Sequence, residues 1–251
     1  MDGFPRWAGG VSLIPDGEGL LVHTPAEEFL VVEPEPGRPA DPAAPELRAA
    51  FAAEGVLAPE PAPRPGPVGI GGTGPLADHL ARSLAGLGLD VLRGPEEDLL
   101  DRGLLALVSA EPWLPDRRWS DLDPRVRAAG VPWHRGHAEG RRWYAGPFWT
   151  GPGDSGHTDL RIRRLAATPW PEQLAAYWDW LDGGGRPAPD PSGAVAAAAA
   201  AAFLAADLWT WRCGGDPAGR NVQVGIDLAD GVVRRHPVLP VPQGLMREVP
   251  A

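Results

Sequence analysis

Four glycines within seven residues carry the strongest chemical signal in this chain. Val68–Gly74 reads Val-Gly-Ile-Gly-Gly-Thr-Gly, so Gly69, Gly71, Gly72 and Gly74 form a G-x-G-G-x-G. An apolar strand, Pro67–Ile70, precedes the loop and a helical pattern over Pro75–Leu87 follows it. In that order a glycine turn can bring backbone N–H groups and a helix N-terminus against phosphate oxygens. The chemistry would be that of a dinucleotide or of ATP. The bland alternative is a tight strand-to-helix turn kept for packing, and Pro75 suits the first helical turn either way, because its missing N–H costs little there. Two requirements of nucleotide chemistry are unmet. The next strand, Leu89–Leu92, ends in Arg93-Gly94, where an acid for the ribose is expected. All 23 Lys+Arg residues are arginines, so no lysine can hold a triphosphate. Arginine also binds phosphate, which leaves Arg82 and Arg93 as candidate cations.

Three further groups have chemical potential. His134, His137 and His157 invite a metal reading, but the glycine between the first two, in Trp133-His134-Arg135-Gly136-His137, points to ordinary polar loop histidines. Arg161, Arg163 and Arg164 are suited to a carboxylate or phosphate. In a strand-like geometry Arg161 and Arg163 share a face; the alternative is a solvated face or ion pairs with Asp154 and Asp159. Eleven tryptophans supply aromatic core, with a subset suited to an interface. Ser155, in Gly153-Asp154-Ser155-Gly156, lacks the strand–turn–helix setting of a nucleophile elbow. Cys213 stands alone, which excludes an intrachain disulfide and a cysteine-rich zinc site.

These residues must be positioned by a chain of 251 residues whose apolar share of 43% can bury a real core. Its 33 glycines and 31 prolines fall between elements rather than in a repeat. A net charge of -10 argues against a general electrostatic grip on nucleic acid. No signal-peptide pattern opens the chain, and the alanine run Ala194–Ala206 is shorter than a membrane span needs, so it reads as a buried helix. A cytoplasmic protein with no membrane partner is the expectation. Strands are predicted at Val11–Ile14, Gly19–Thr24 and Glu28–Glu33, with turns at Asp16-Gly17 and Pro25-Ala26-Glu27. Pro34–Pro45 has five prolines in twelve residues and is irregular. Glu46–Glu54 repeats apolar residues at helical spacing and ends at Gly55. Ala58–Pro67, with five prolines in ten residues, is a stiff linker and the expected domain boundary. Beyond it strands and helices alternate, which predicts a parallel sheet. Strands are placed at Leu104–Ser109 and Trp143–Phe148. Helices are placed at Glu96–Arg102, Asp121–Ala129, Pro171–Leu181 and Ser192–Trp211, the last capped by Ser192. A hairpin, Val222–Leu228 and Val232–Leu239, closes the chain around Asp230-Gly231.

The second part resembles the ThiF-like proteins, relatives of ubiquitin-activating enzymes, that accompany YcaO cyclodehydratases in azoline peptide biosynthesis. The matching pieces keep one order over most of residues 68–251. They are the Gly69–Gly74 loop, Leu104–Ser109, Gly130-Val131-Pro132-Trp133, Tyr144-Ala145-Gly146-Pro147-Phe148, Gly151-Pro152-Gly153 with Asp159–Leu165, and His236-Pro237-Val238-Leu239-Pro240. In many relatives two cysteine pairs hold a structural zinc. Here the first pair aligns with Gly156 and Asp159 and the second falls near Gln243–Met246, so no zinc is expected. With the nucleotide cations and acid also missing, the resemblance implies a member without adenylation activity and with no catalytic residues.

The resemblance further implies an N-terminal module similar to a small winged helix. Such a module binds the leader of a precursor peptide as an added strand beside its third strand, against its third helix. Here Glu28, Phe29, Leu30, Val31 and Val32 would supply the strand, and Leu47, Arg48 and Phe51 the helix. The implied fold class is α/β: a truncated winged-helix-like module over 1–58, a linker over 59–67, and a ThiF-like Rossmann-type domain over 68–251. The implied partners are the leader peptide, a YcaO-type cyclodehydratase and a second copy of the chain. Two other readings stay open. One is an ATP-dependent adenylating enzyme; the other is an NADP-dependent oxidoreductase in which Arg93 meets the 2′-phosphate.

Overall fold

Short apolar strands and a glycine turn build the first of two compact units. The computed structural model describes residues 6–34, 37, 39–58, 63–188 and 190–242, and the chain divides into Met1–Pro61 and Ala62–Ala251. In the first unit β1 (Ser12–Asp16), β2 (Gly19–His23) and β3 (Phe29–Val32) form an antiparallel sheet in the order β1-β2-β3. Gly17 takes φ +62° in the tight turn between β1 and β2, a conformation that glycine adopts without a Cβ penalty. The side-chain period of two places Leu20 and Val22 of β2 inward, with Leu13, Leu30 and Val32 beside them. Helix α1 (Pro45–Ala53) covers that face and sinks Phe51 into it.

The second unit is a seven-stranded sheet in the order β10-β9-β8-β7-β6-β4-β5. Its strands are β4 (Val68–Gly71), β5 (Val91–Arg93), β6 (Ala106–Ala110), β7 (Trp133–Glu139), β8 (Arg142–Ala145), β9 (Val222–Asp227) and β10 (Val232–Pro237). The β5-β4-β6-β7 half is parallel and the β8-β9-β10 half antiparallel. The sheet is therefore mixed, not parallel throughout. The helices are α2 (Pro75–Gly86), α3 (Glu96–Leu99), α4 (Asp116–Ala129), α5 (His157–Ala167), α6 (Pro171–Asp182) and α7 (Gly193–Arg212). One core is built from α2, α7 and one sheet face, and a second around Trp119, Trp133 and Trp178 on the other face. This is a Rossmann-like mixed α/β architecture.

Four local expectations are corrected. Trp133–Glu139 is a buried strand and not a loop, because Gly136 is a packing position: a Cβ there would stand 2.8 Å from Leu76 Cδ2 and 3.0 Å from Leu204 Cδ1. The arginine run forms helix α5 instead of a strand, so Arg161 and Arg164 share a face and Arg163 does not. Helix α4 begins at Asp116, ahead of the predicted Asp121. Ser192 stands before α7 but does not cap it; its hydroxyl is 2.8 Å from an Asp190 carboxylate oxygen. Helix α7 is long and apolar enough to cross a membrane, yet Ala196, Ala197, Ala200, Ala201, Leu204 and Leu208 are buried in the core.

Candidate functional site

The sheet of the first unit has an open edge. Within it β3 pairs with β2 only. Thr24 and Glu28 exchange the first hydrogen bonds after the turn, through Thr24 N–H to the Glu28 carbonyl at 2.8 Å and Glu28 N–H to the Thr24 hydroxyl at 3.1 Å. The antiparallel alternation then points the backbone groups of Leu30 and Val32 at β2 and those of Phe29 and Val31 outward. Phe29 and Val31 are also 59% and 69% exposed. A small cavity of about 110 Å³ opens beside the strand end, lined by Val32, Ala40 and Leu47 among others. Arg48 is exposed on α1, and Glu28 is exposed before β3. Phe51, by contrast, is 2% exposed and packs edge-on against Trp7 at 5.9 Å. It supports the helix from below and offers no surface to a ligand.

The glycine loop follows β4, with Gly74 at the N-cap of α2. Gly72 and Gly74 have φ +94° and +92°, which favours glycine. Three of the four glycines also meet protein where a side chain would stand. A Cβ at Gly69 would lie 2.7 Å from Leu104 Cδ1, one at Gly71 would enter Glu96, and one at Gly72 would enter the Ala110 carbonyl. Only at Gly74 is the space open. Glu96 and Glu111 are both buried, and Arg118 bridges them, pairing with Glu111 and reaching Glu96 at 3.4 Å. Burial pushes the Glu111 carboxyl up, against the pull of Arg118. Arg93 is paired with Asp78 in the first turn of α2 at 2.7 Å. That pair lowers the Asp78 carboxyl, and it draws Arg93 to a protein acid. Arg82 sits beside His79 at 3.0 Å.

A layer of buried polar groups lies on the other side of the sheet, and sequence reading missed it. Strand β7 turns Trp133, Arg135, His137 and Glu139 toward α4, α5 and α6. Arg135 is fully buried; its Nη2 donates to the Pro147 carbonyl at 3.0 Å, while Nε and Nη1 have no partner among the described residues. Burial lowers its pKa to about 10. Burial also lowers the pKa of His137 and of His157. His157 Nε2 lies 2.9 Å from Asp116 Oδ1, and Arg161 holds the other oxygen at 2.7 Å. Burial alone would raise Asp116; the bonds from His157 and Arg161 outweigh it and lower the carboxyl. His157 is thus a neutral donor in this pair. Arg164 grips Glu139 through two 2.7 Å bonds. Burial would raise Glu139, but the His137 ring at 3.6 Å and the Arg164 guanidinium hold it at about 2. His134 is on the opposite face of β7, 2.9 Å from Asp207.

The predicted partners of the arginine run, Asp154 and Asp159, are therefore replaced by Asp116 and Glu139. Asp154 instead binds Arg220 at 2.9 Å and Thr150. Ser155 bonds Asn221 at 2.9 Å. Cys213 is a free thiol that ends α7. Among the described residues no group of three or more His, Cys, Asp or Glu side chains is arranged to hold a metal. Gly156 and Asp159 open α5, and Asp159 accepts the Val241 N–H at 2.7 Å, which ties the segment after β10 to the helix. Gln243–Met246 lie outside the described residues.

No family model matches the sequence, and no curated protein sequence matches it significantly. Solved structures do match in fold. The heterocyclase TruD aligns with a TM-score of 0.66 at 12% identity, over 95% of this chain and 42% of that one. A heterocyclase solved in complex with substrate and cofactor aligns with a TM-score of 0.63 at 12% identity, over 93% and 38%. MccB of E. coli aligns with a TM-score of 0.62 at 12% identity, over 95% of each chain. The chain thus spans about two fifths of the length of the heterocyclases and 95% of MccB. At this identity the likeness establishes the fold, which this chain shares with heterocyclases and with MccB.

Proposed function

We propose that this protein is a non-catalytic scaffold that binds the leader of a ribosomally made precursor peptide and presents it to a YcaO-type cyclodehydratase. The open edge of β3 carries the reading. It offers the backbone groups of Phe29 and Val31 to an added strand, and the Val32–Leu47 cavity beside it takes one apolar side chain. Glu28 precedes the same edge, Leu30 packs beneath it, and Arg48 is exposed on α1, which Phe51 supports. The fold shared with heterocyclases agrees with a place in azole-forming peptide modification. The glycine loop supports a role without adenylation. Glu96 and Glu111 set two carboxylates against it with Arg118 shared between them, so a triphosphate brought there would meet a guanidinium that is already paired. Arg93, paired with Asp78, is not left free for a 2′-phosphate. Self-association through the tryptophan-rich second unit belongs to the same proposal; a monomeric mass by light scattering at micromolar concentration would remove that part.

The test is fluorescence anisotropy of a labelled leader peptide with the wild-type chain and Val31→Pro. Proline removes the outward N–H of β3 without touching a bond to β2, so the module keeps its fold. Saturable binding of the wild-type, weakened at least about tenfold by the substitution, is the expected result. Equal binding by both proteins would place the peptide elsewhere. An unchanged far-ultraviolet spectrum of Val31→Pro serves as the control for folding.

A further inference from the structure

A cavity of about 580 Å³ lies in the second unit, away from the glycine loop, between α5 and the antiparallel half of the sheet. Its floor is Gly225 of β9. A Cβ there would stand 3.2 Å from Tyr144 Cε1 and 3.6 Å from His236 Nε2, so any side chain would fill the floor. Gln223 and Asp227 lie on the same face of β9, one period of two to either side. On β10, His236 pairs with Gln223 and Arg234 with Gly225. Arg142 on β8 and Arg163 and Arg164 on α5 complete the polar lining.

The charges do not cancel. Arg164 is spent on Glu139, and Arg142 shares Asp227 with Arg141. Among the described residues Arg163 meets only neutral carbonyls, those of Leu239 at 3.1 Å and Pro240 at 3.4 Å. Arg234 has no carboxylate partner among the described residues. Two guanidinium groups therefore face one cavity with their charge uncompensated, in a chain whose net charge is -10. Two buried polar atoms in the lining are also unsatisfied. Gln223 is 3% exposed, and its Nε2 donor has no partner among the described residues; Asp227 is 5% exposed, and its Oδ1 acceptor has none among them. A buried donor or acceptor left unpaired is costly, and a ligand that pairs it recovers the cost.

We infer that this cleft binds a small phosphate ester that also carries hydroxyl groups, of the size of a sugar phosphate or a nucleoside diphosphate. Guanidinium forks match phosphate oxygens, and Arg163 and Arg234 supply them. The Gln223 amide donates to a further phosphate oxygen. Asp227 Oδ1 accepts from a ligand hydroxyl, which a bare inorganic anion lacks. The volume falls within the usual range for small-molecule sites, about 300–1,000 Å³.

Isothermal titration of the full chain with ADP, ribose 5-phosphate, inorganic pyrophosphate and citrate tests the assignment. ADP and ribose 5-phosphate are expected to bind saturably, and more tightly than pyrophosphate or citrate. Arg234→Glu reverses an exposed charge and should weaken the ester at least about tenfold, with the melting temperature unchanged. Gln223→Leu, similar in volume, should weaken it too. Arg93→Ala, at the glycine loop, should leave it intact. Loss of binding in Arg93→Ala with retention in Arg234→Glu would move the site to the glycine loop and overturn the inference. Citrate binding as tightly as the esters would overturn the ligand class, and no saturable binding of either ester at millimolar concentration would overturn the site. The peptide proposal stands or falls separately, because its titration reads the β3 edge.

Discussion

Trp119→Ala is expected to destabilise the second unit by about 3–5 kcal/mol, enough to consume a large part of a typical domain's stability of about 5–15 kcal/mol. Trp119 comes from α4 and is fully buried. Three rings meet it edge to face: Trp133 at 6.2 Å, His137 at 5.5 Å and His157 at 5.5 Å. It thereby joins α4, β7 and α5 in one contact set. Each edge-to-face pair adds about 0.5–1.5 kcal/mol beyond the area it buries. The surroundings cannot collapse to refill the space, because His137 and His157 are held by strand and helix backbone that other bonds fix. Water entering the cavity would also reach His137 Nδ1 and His157 Nδ1, which have no hydrogen-bond partner among the described residues. Urea unfolding of the full chain, followed by far-ultraviolet signal, measures the loss. Trp119→Phe keeps a ring and should retain more than half of the stability that alanine removes. A loss under about 1 kcal/mol for alanine would show that Trp119 does not join the three elements.

The glycine loop and the third strand were legible because their signals are local. The order strand, glycine turn, Pro75 and helix is written in adjacent residues, as is the run of strand formers Phe29-Leu30-Val31-Val32; which of them face inward is set by the pairing with β2. Strand β7 was illegible for the opposite reason. His134, Arg135 and His137 look like surface residues in a sequence, and Gly136 looks like a break. What makes them a buried strand arrives from afar: Asp207 on α7, the Pro147 carbonyl, and the Leu76 and Leu204 side chains that occupy the space above Gly136. Helix α5 was ambiguous rather than hidden. Leu160-Arg161-Ile162-Arg163 alternates like a strand, and only the partners Asp116 and Glu139 show that Arg161 and Arg164 share one helical face. The proposal that the glycine loop does not adenylate has a part visible in the sequence, the absent lysine. Its other part, Glu96 and Glu111 brought against the loop by α3 and the end of β6, depends on the fold.

The same polar layer sets how the protein responds to acid. Lowering the pH from about 8 toward 5 is expected to destabilise the second unit, beginning near the ordinary histidine value of about 6.5. Burial holds the folded pKa of His137 and of His157 below that value. An unfolded chain therefore takes up protons first as pH falls, and the stability that the neutral rings contribute drains away until pH reaches their folded values. Each ring costs up to about 1.4 kcal/mol per pH unit in that window, so the pair gives a slope of at most about two protons. A second loss follows at lower pH. Glu139, held at about 2, and Asp116 and Asp123, both lowered, contribute stability above the ordinary carboxylate range that is lost as they protonate. Glu111 and Asp182 act in the opposite sense, since burial raises both and their protonated forms suit the fold; they soften the profile as pH falls toward the carboxylate range. Urea midpoints measured at half-unit pH steps separate these terms. His157→Gln keeps a donor for Asp116 and should remove about one proton from the slope between pH 6.5 and the onset of carboxylate titration. Stability that stays flat from about pH 8 to 5.5, or a slope that survives in the His137→Gln and His157→Gln double variant, would show that these two rings are not what makes the unit acid-sensitive.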